Sequence, residues 1–155
     1  MSSAGAAAGA RAMRTQFQAN YKKSMAAFSE FISKTESDES LVEKFHLIKY
    51  NMLFIPTRFL LIDTKSGFYI WQYKGIFNPI KHAQAIIKLG KGDLQFNQKS
   101  ANIFERLNKF SIGSYLHLTE MDNKHGLNGK YIVENLTEWN FQDKARQDEF
   151  VKLYG

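Results

Sequence analysis

Residues 59–73 read FLLIDTKSGFYIWQY, and this stretch decides the class of fold. Two runs rich in β-branched and aromatic residues, 59–63 and 68–73, flank the tetrapeptide Thr64-Lys65-Ser66-Gly67. Strand-forming runs separated by a few turn residues that include glycine are typical of β-hairpins. The stretch therefore predicts two successive antiparallel strands.

The chain before this hairpin predicts one further strand and a helix. Apolar and polar residues alternate from about residue 46 to residue 55, which indicates a strand that precedes the hairpin. From Thr15 onward, apolar residues recur at helical spacing, at Phe17, Tyr21, Met25, Phe28 and Ile32. A polar break at 33–40 follows this helix, and a short helical turn is expected through Leu41, Val42 and Phe45.

The chain after the hairpin predicts two helices, a second hairpin and a closing helix. A short helix over 80–87 ends at Gly90, and a further helix over 100–109 carries Ile103, Phe104, Leu107 and Phe110 on one side. Strands are expected at 114–121 and 130–139, on either side of a polar turn. The chain then ends in a helix over 141–154, for which Asn140, with Asp143 three residues later, offers an N-cap.

Length and composition favour a single folded domain with a loose N-terminal end. The chain has 155 residues, of which 44% are hydrophobic and 14% aromatic, so it has enough apolar surface to offset the entropy of folding. We expect a flexible tail at 1–14, an N-terminal helix and linker at 15–40, and a folded domain at 41–155.

The sequence carries no motif of catalysis or of metal binding. It has no cysteine, and its four histidines are scattered without helical i, i+4 partners, so we expect no metal site. The loop Gly90-Lys91-Gly92-Asp93 lacks the remaining residues of a phosphate-binding loop, and no nucleophile elbow is present. We therefore expect a protein that is not an enzyme and that needs no cofactor.

Positive charge is concentrated in the middle of the chain. Residues 44–110 hold eleven Lys or Arg against three acidic residues, whereas residues 111–155 hold five basic against seven acidic residues. A basic block of this kind suits a surface that attracts phosphates, although a solvated lysine-rich surface has the same composition.

The targeting signals leave two locations open. No run approaches the ~18 consecutive apolar residues of a spanning helix, so we expect no membrane partner. The first 29 residues are rich in Ala and Ser and carry basic but no acidic residues, as in a mitochondrial transit peptide. A mitochondrial protein is therefore one expectation, beside the nuclear protein that the following resemblance implies.

The order of the predicted elements resembles that of an OB-fold. Three strands, a helical region, two strands and a closing helix follow one another, and FSIGSYLHL at 110–118 starts a fourth strand after a glycine. The OB-fold is a five-stranded Greek-key barrel that binds oligonucleotides. The chain is similar in this order, over residues 46–155, to the smallest subunits of the telomere-capping CST complex and of replication protein A-like trimers. We thus expect a mainly β protein, a β-β-β-α-β-β barrel with flanking N-terminal and C-terminal helices.

The resemblance implies a non-catalytic subunit of a heteromer that holds single-stranded DNA weakly or through the complex. Candidate DNA-contacting residues lie on or near the third strand, where alternating aromatic residues and basic residues suit base stacking: Arg58, Lys65, Tyr69, Trp71, Tyr73 and Lys74. Every strand of a barrel also has a buried face, so the same aromatic residues suit a core.

A larger OB-fold partner subunit is expected to contact the C-terminal helix and the residues before it. The candidates are Trp139, Phe141, Phe150, Val151, Leu153 and Tyr154. The alternative is that this helix packs on its own barrel. The alternative to the DNA-binding function as a whole is an accessory structural subunit of a mitochondrial assembly.

Overall fold

Seven strands in the computed structural model form one curled antiparallel sheet, a half-barrel, accompanied by a few helices. The structure describes residues 41–50, 57–73, 87–135 and 142–155, together with isolated helical positions between Gly9 and Lys34. The strands in this part of the chain are β1 (Leu41–Lys49), β2 (Thr57–Thr64), β3 (Gly67–Tyr73), β4 (Ile87–Leu89), β5 (Leu94–Ser100), β6 (Ser114–Glu120) and β7 (Gly129–Glu134). The helices are α1 (Ile103–Asn108) and α2 (Lys144–Tyr154), and a 3₁₀ turn covers Lys91–Asp93.

The sheet consists of two antiparallel meanders joined at β1. The strand order is β4-β3-β2-β1-β7-β6-β5, so β1 pairs with β2 on one side and with β7 on the other. Leu47 of β1 lies opposite both Phe59 of β2 and Val133 of β7. The first strand of the chain therefore holds the two meanders together.

The predicted hairpin at residues 59–73 is confirmed as β2 and β3. Lys65 and Ser66 form its turn, and the Thr64 hydroxyl donates a hydrogen bond to the Gly67 carbonyl at 2.7 Å. Gly67 has a φ of +157°, and a Cβ atom there would lie 2.4 Å from the carbonyl oxygen of Leu89 in β4. The absence of a side chain at Gly67 thus allows β4 to approach β3.

Replacing Gly67 by alanine is expected to destabilise the protein by about 1–3 kcal/mol, because the new methyl group would displace the backbone of β4. Urea unfolding followed by tryptophan fluorescence measures the loss. Gly92→Ala is the matched control, since no atom lies within 4 Å of a Cβ at Gly92. Equal stability of the two variants would contradict this account of Gly67.

The first three strands are buried on both faces. One face contributes the main core, to which β1, β2 and β3 supply Phe45, Leu47, Phe59, Leu61, Phe68 and Ile70. The alternate residues of the same strands are also buried: His46, Ile48, Leu60, Ile62, Tyr69 and Trp71. On that second face, the ring of Phe31 lies 6.0 Å from the ring of Tyr69 in an edge-to-face arrangement. The N-terminal helical positions therefore include a contact with the back of the sheet.

Helix α2 covers the first face of the sheet. Asp143 caps the helix by accepting a hydrogen bond from the Arg146 N–H at 3.0 Å, and Lys144 pairs with Asp148 one turn later. Gln147 and Phe150 are the buried residues of this helix. The predicted closing helix is thus confirmed, with Asp143 rather than Asn140 at its N-cap.

Several sequence-based expectations are wrong. Leu41, Val42 and Phe45 belong to β1 and not to a helical turn, and Ile87 begins β4 rather than ending a helix. The sequence patterns predict no strand at β4 or at β5, so the predicted count of five strands is lower than the seven observed. The mainly β class is confirmed, whereas the domain boundaries stay predictions. The apolar positions predicted for the N-terminal helix, and most of the predicted helix at 80–87, lie outside the described residues.

Candidate interaction surface

Helix α1 is short but firmly held by its caps. The Asn102 side chain accepts a hydrogen bond from the Glu105 N–H at 2.8 Å, and the Glu105 carboxylate accepts one from the Asn102 N–H at 3.2 Å. This reciprocal capping box satisfies backbone donors that a helix start leaves unpaired. At the other end, the Asn108 amide donates to the Phe104 carbonyl at 2.8 Å.

Two contacts anchor α1 to the sheet. Phe110, directly after the helix, is fully buried, stacks on Tyr115 at 4.8 Å and meets Tyr50 edge-on at 5.2 Å. Lys130 of β7 donates to the Glu105 carboxylate at 2.8 Å. This hydrogen bond lowers the pKa of Glu105 and raises the pKa of Lys130. The position of α1 is therefore fixed relative to β6 and β7.

The apolar side of α1 faces solvent. Ile103, Phe104 and Leu107 are 77%, 74% and 81% exposed. Their spacing of i, i+1 and i+4 puts them on one side of the helix, where they form a contiguous patch. We call these three residues the α1 patch. The expectation that they share one side of a helix with Phe110 is wrong, because α1 ends at Asn108 and Phe110 is buried.

Exposed basic and polar residues adjoin the α1 patch along the chain. Lys99 at the end of β5, and Arg106 and Lys109 in and after the helix, are all exposed. Strand β5 is the last strand in the sheet order, and its final residues, Gln98 to Ser100, are exposed up to the loop that leads into α1. These exposed residues next to the patch along the chain, which we call its rim, carry excess positive charge.

The predicted DNA-contacting residues do not form an open stacking surface. Tyr69 and Trp71 are each only 1% exposed, and Arg58 is buried beside Glu134 with 3.1 Å between its Nε and Oε2. Lys65 is exposed in the β2–β3 turn, far along the strand from Arg58. The side chain of Tyr73, and Lys74, lie outside the described residues. Both faces of β3 are buried, so Tyr69 and Trp71 lie inside the protein.

The predicted partner-binding residues of α2 mostly belong to the protein's own core. Phe150 is fully buried, and Val151 and Tyr154 are partly buried against the same core cluster. Leu153 alone among these four is largely exposed, at 57%. Trp139 and Phe141 lie outside the described residues. Phe150, Val151 and Tyr154 therefore stabilise this domain, and in the part of the chain that the structure describes the α1 patch is the larger exposed apolar cluster.

The described ranges hold no candidate metal site, and one pair of titratable groups in them braces a loop. No group of three or more His, Asp or Glu residues there could hold a metal ion. His125 and Glu120 are paired, and the buried Glu120 carboxylate also accepts the His125 N–H, which braces the β6–β7 connection. Burial opposes ionisation of Glu120, but the bonds from His125 outweigh it and lower its pKa.

Comparison with known proteins adds no relative. No protein-family model, no curated protein and no solved structure matches this chain. None of the helices that the structure describes is long and apolar enough to cross a membrane. The exposed apolar side chains of the α1 patch are therefore the feature of this chain that bears most directly on its function.

Proposed function

We propose that this chain is a non-catalytic subunit that binds a larger protein by inserting the α1 patch into an apolar groove of that partner. The supporting observation is the exposure of Ile103, Phe104 and Leu107 on a helix that is held in place from both ends. Burying each such side chain contributes about 1.5–3 kcal/mol, so docking would recover a large free energy. Prior ordering of the helix lowers the entropic cost of binding.

The rim of the patch favours a protein partner with acidic residues around its groove. Protein interfaces have an apolar, aromatic centre and a polar periphery, and the α1 patch with Lys99, Arg106 and Lys109 has this composition. Opposite charges on the partner would speed the encounter and set the orientation. An amphipathic helix in a groove is also a recurrent mode of protein recognition.

Membership of a telomeric or replication heteromer that holds single-stranded DNA stays a prediction, as does the relation of the half-barrel to the OB-fold. The same holds for the nuclear location and for the alternative of a mitochondrial assembly. Tyr69 and Trp71, two of the predicted base-stacking residues, are buried, which supports the expectation that this chain by itself holds single-stranded DNA only weakly. We infer that any such heteromer would rely on its other subunits for most of its affinity for DNA.

Photocrosslinking tests the proposed partner site. A benzoylphenylalanine residue in place of Phe104 is expected to crosslink one protein in the cells that make this chain, and the same group at the exposed Met121 is expected not to. The partner, identified by mass spectrometry and purified, is then titrated with this chain by calorimetry. I103S/F104S/L107S should weaken binding by about 100-fold or more, since central apolar contacts dominate interface energies.

The matched control replaces three other exposed apolar residues, as L41S/V42S/M121S, and should bind the partner as the wild type does. Both triple variants should keep the melting temperature of the wild type, because the substituted side chains are in solvent. Equal binding by the patch variant, or crosslinking of Phe104 to lipid alone, would contradict the proposal.

A further inference from the structure

A cavity of about 350 Å³ lies between the β2–β3 hairpin, the start of β5 and the end of α2. Three aromatic rings line it. The ring of Phe68 is 5.5 Å from that of Tyr154 and 6.1 Å from that of Phe96, and Phe96 and Tyr154 are also 6.1 Å apart. A cavity of this size falls in the range of small-molecule sites, ~300–1,000 Å³.

A buried carboxylate lies in the wall of this cavity. Asp63, at the end of β2, is 5% exposed, and the Tyr154 hydroxyl donates a hydrogen bond to its Oδ2 at 2.7 Å. Burial, and then the nearby charge of Glu43, raise the pKa of Tyr154 to about 12. The phenol therefore keeps its proton at neutral pH and holds the Asp63 carboxylate in a fixed orientation.

The cavity already contains a cationic group of the chain itself. The ammonium group of Lys91, from the 3₁₀ turn before β5, pairs with Asp63 Oδ1 and lies 4.6 Å from the centre of the Phe68 ring. Aromatic faces together with a carboxylate are the groups that recognise ammonium ions in proteins. The side chain of Lys91 is 45% exposed, so it reaches the cavity from the solvent side.

We propose that this cavity is a binding site for alkylammonium ligands, which enter by displacing Lys91. The side chain of Lys91 is partly exposed, so it can move into solvent when a ligand cation takes its place beside Asp63. The incoming cation replaces the charge of Lys91 beside Asp63, which leaves no buried charge uncompensated.

The shared ligand chemistry is a cationic nitrogen on an alkyl group, which either a lysine side chain or a choline-type group would supply. Nuclear magnetic resonance titration of the full chain with n-butylammonium and with tetramethylammonium distinguishes the two sources. We expect saturable shifts of the ring signals of Phe68 and Tyr154. Tighter binding of n-butylammonium would point to a lysine-type ligand, and tighter binding of tetramethylammonium to a choline-type ligand. n-Butanol, a neutral molecule of similar size, should bind at least about tenfold more weakly.

Lys91→Met removes the internal competitor and is expected to tighten alkylammonium binding by about tenfold. Asp63→Asn is expected to weaken it by a similar factor. Lys88→Met, which removes a lysine that instead lies near Tyr69, is the matched control and should leave the affinity unchanged.

Lys91→Met and Asp63→Asn each break the ion pair of the buried Asp63, so if either variant fails to fold, the ratio of butylammonium to butanol affinity of the wild-type chain still decides the question. An equal affinity for the two probes, or no gain in Lys91→Met, would overturn the proposal. The residues of this cavity are separate from the α1 patch, so either site can fail its test without affecting the other.

Discussion

Replacing Arg58 by methionine is expected to lower the free energy of unfolding by about 3–5 kcal/mol, because it leaves the Glu134 carboxylate buried without its guanidinium partner. Arg58 Nε lies 3.1 Å from Glu134 Oε2, and Arg58 Nη2 lies 3.5 Å from Oε1. The side chains are 7% and 0% exposed. A carboxylate in such a place cannot recover its hydration, so removal of the cation costs far more than loss of a surface ion pair.

The position of this pair adds to its importance. Arg58 of β2 lies opposite Ile48 of β1, and Glu134 of β7 lies opposite His46 of β1. The two charged side chains therefore meet across β1, on the face of the sheet that also carries Tyr69 and Trp71. The pair connects the two meanders at the strand they share, so its loss should weaken the whole sheet.

Urea unfolding followed by tryptophan fluorescence measures the effect. The double variant R58M/E134L should regain most of the lost stability, because replacement of both charges by apolar groups is often close to neutral. Lys144→Met, which breaks the exposed pair with Asp148, is the control and should unfold as the wild type does. A stability of Arg58→Met within about 1 kcal/mol of wild type would show that Glu134 finds other compensation.

The sequence was most informative where local chemistry determines structure. The β2–β3 hairpin follows from a turn tetrapeptide between two strand-forming runs. The closing helix is also predicted by local chemistry, although its N-cap is Asp143 and not Asn140. Strand β5 was missed because its residues, LQFNQKS, are mostly polar. As the edge of the sheet it buries few side chains, and its pairing with β6 is a long-range contact that no local pattern records.

The candidate sites show a different limit of sequence analysis. Helical spacing groups Ile103, Phe104 and Leu107 on one side of a helix, but it does not tell whether that side faces the core or solvent. The capping box of Asn102 and Glu105 marks where α1 begins, but it carries no information on which side of the helix faces solvent. Likewise, alternation in β3 separates Tyr69 and Trp71 from Phe68 and Ile70, but gives no sign that both groups are buried.

Replacing Phe150 by alanine is expected to reduce the stability of this domain by about 3–5 kcal/mol, the usual cost of removing a fully buried phenylalanine ring. The Phe150 ring is fully buried at the centre of an aromatic cluster, 4.9 Å from Phe45, 4.8 Å from Phe96 and 4.9 Å from Tyr154. Its loss leaves a void between α2 and both meanders, and it also removes three edge-to-face ring contacts, which add to the effect of burial.

Thermal and urea unfolding of Phe150→Ala, beside Leu153→Ala, separates the two roles considered for α2. If α2 serves mainly to cover its own sheet, Phe150→Ala lowers the melting temperature strongly, whereas Leu153→Ala, at a largely exposed position, changes it little. If α2 were instead held mainly by a partner protein, the isolated chain would tolerate both substitutions almost equally. The same measurement on a chain that ends at residue 148 should show a larger loss than Phe150→Ala, because that deletion also removes Tyr154 and its hydrogen bond to Asp63.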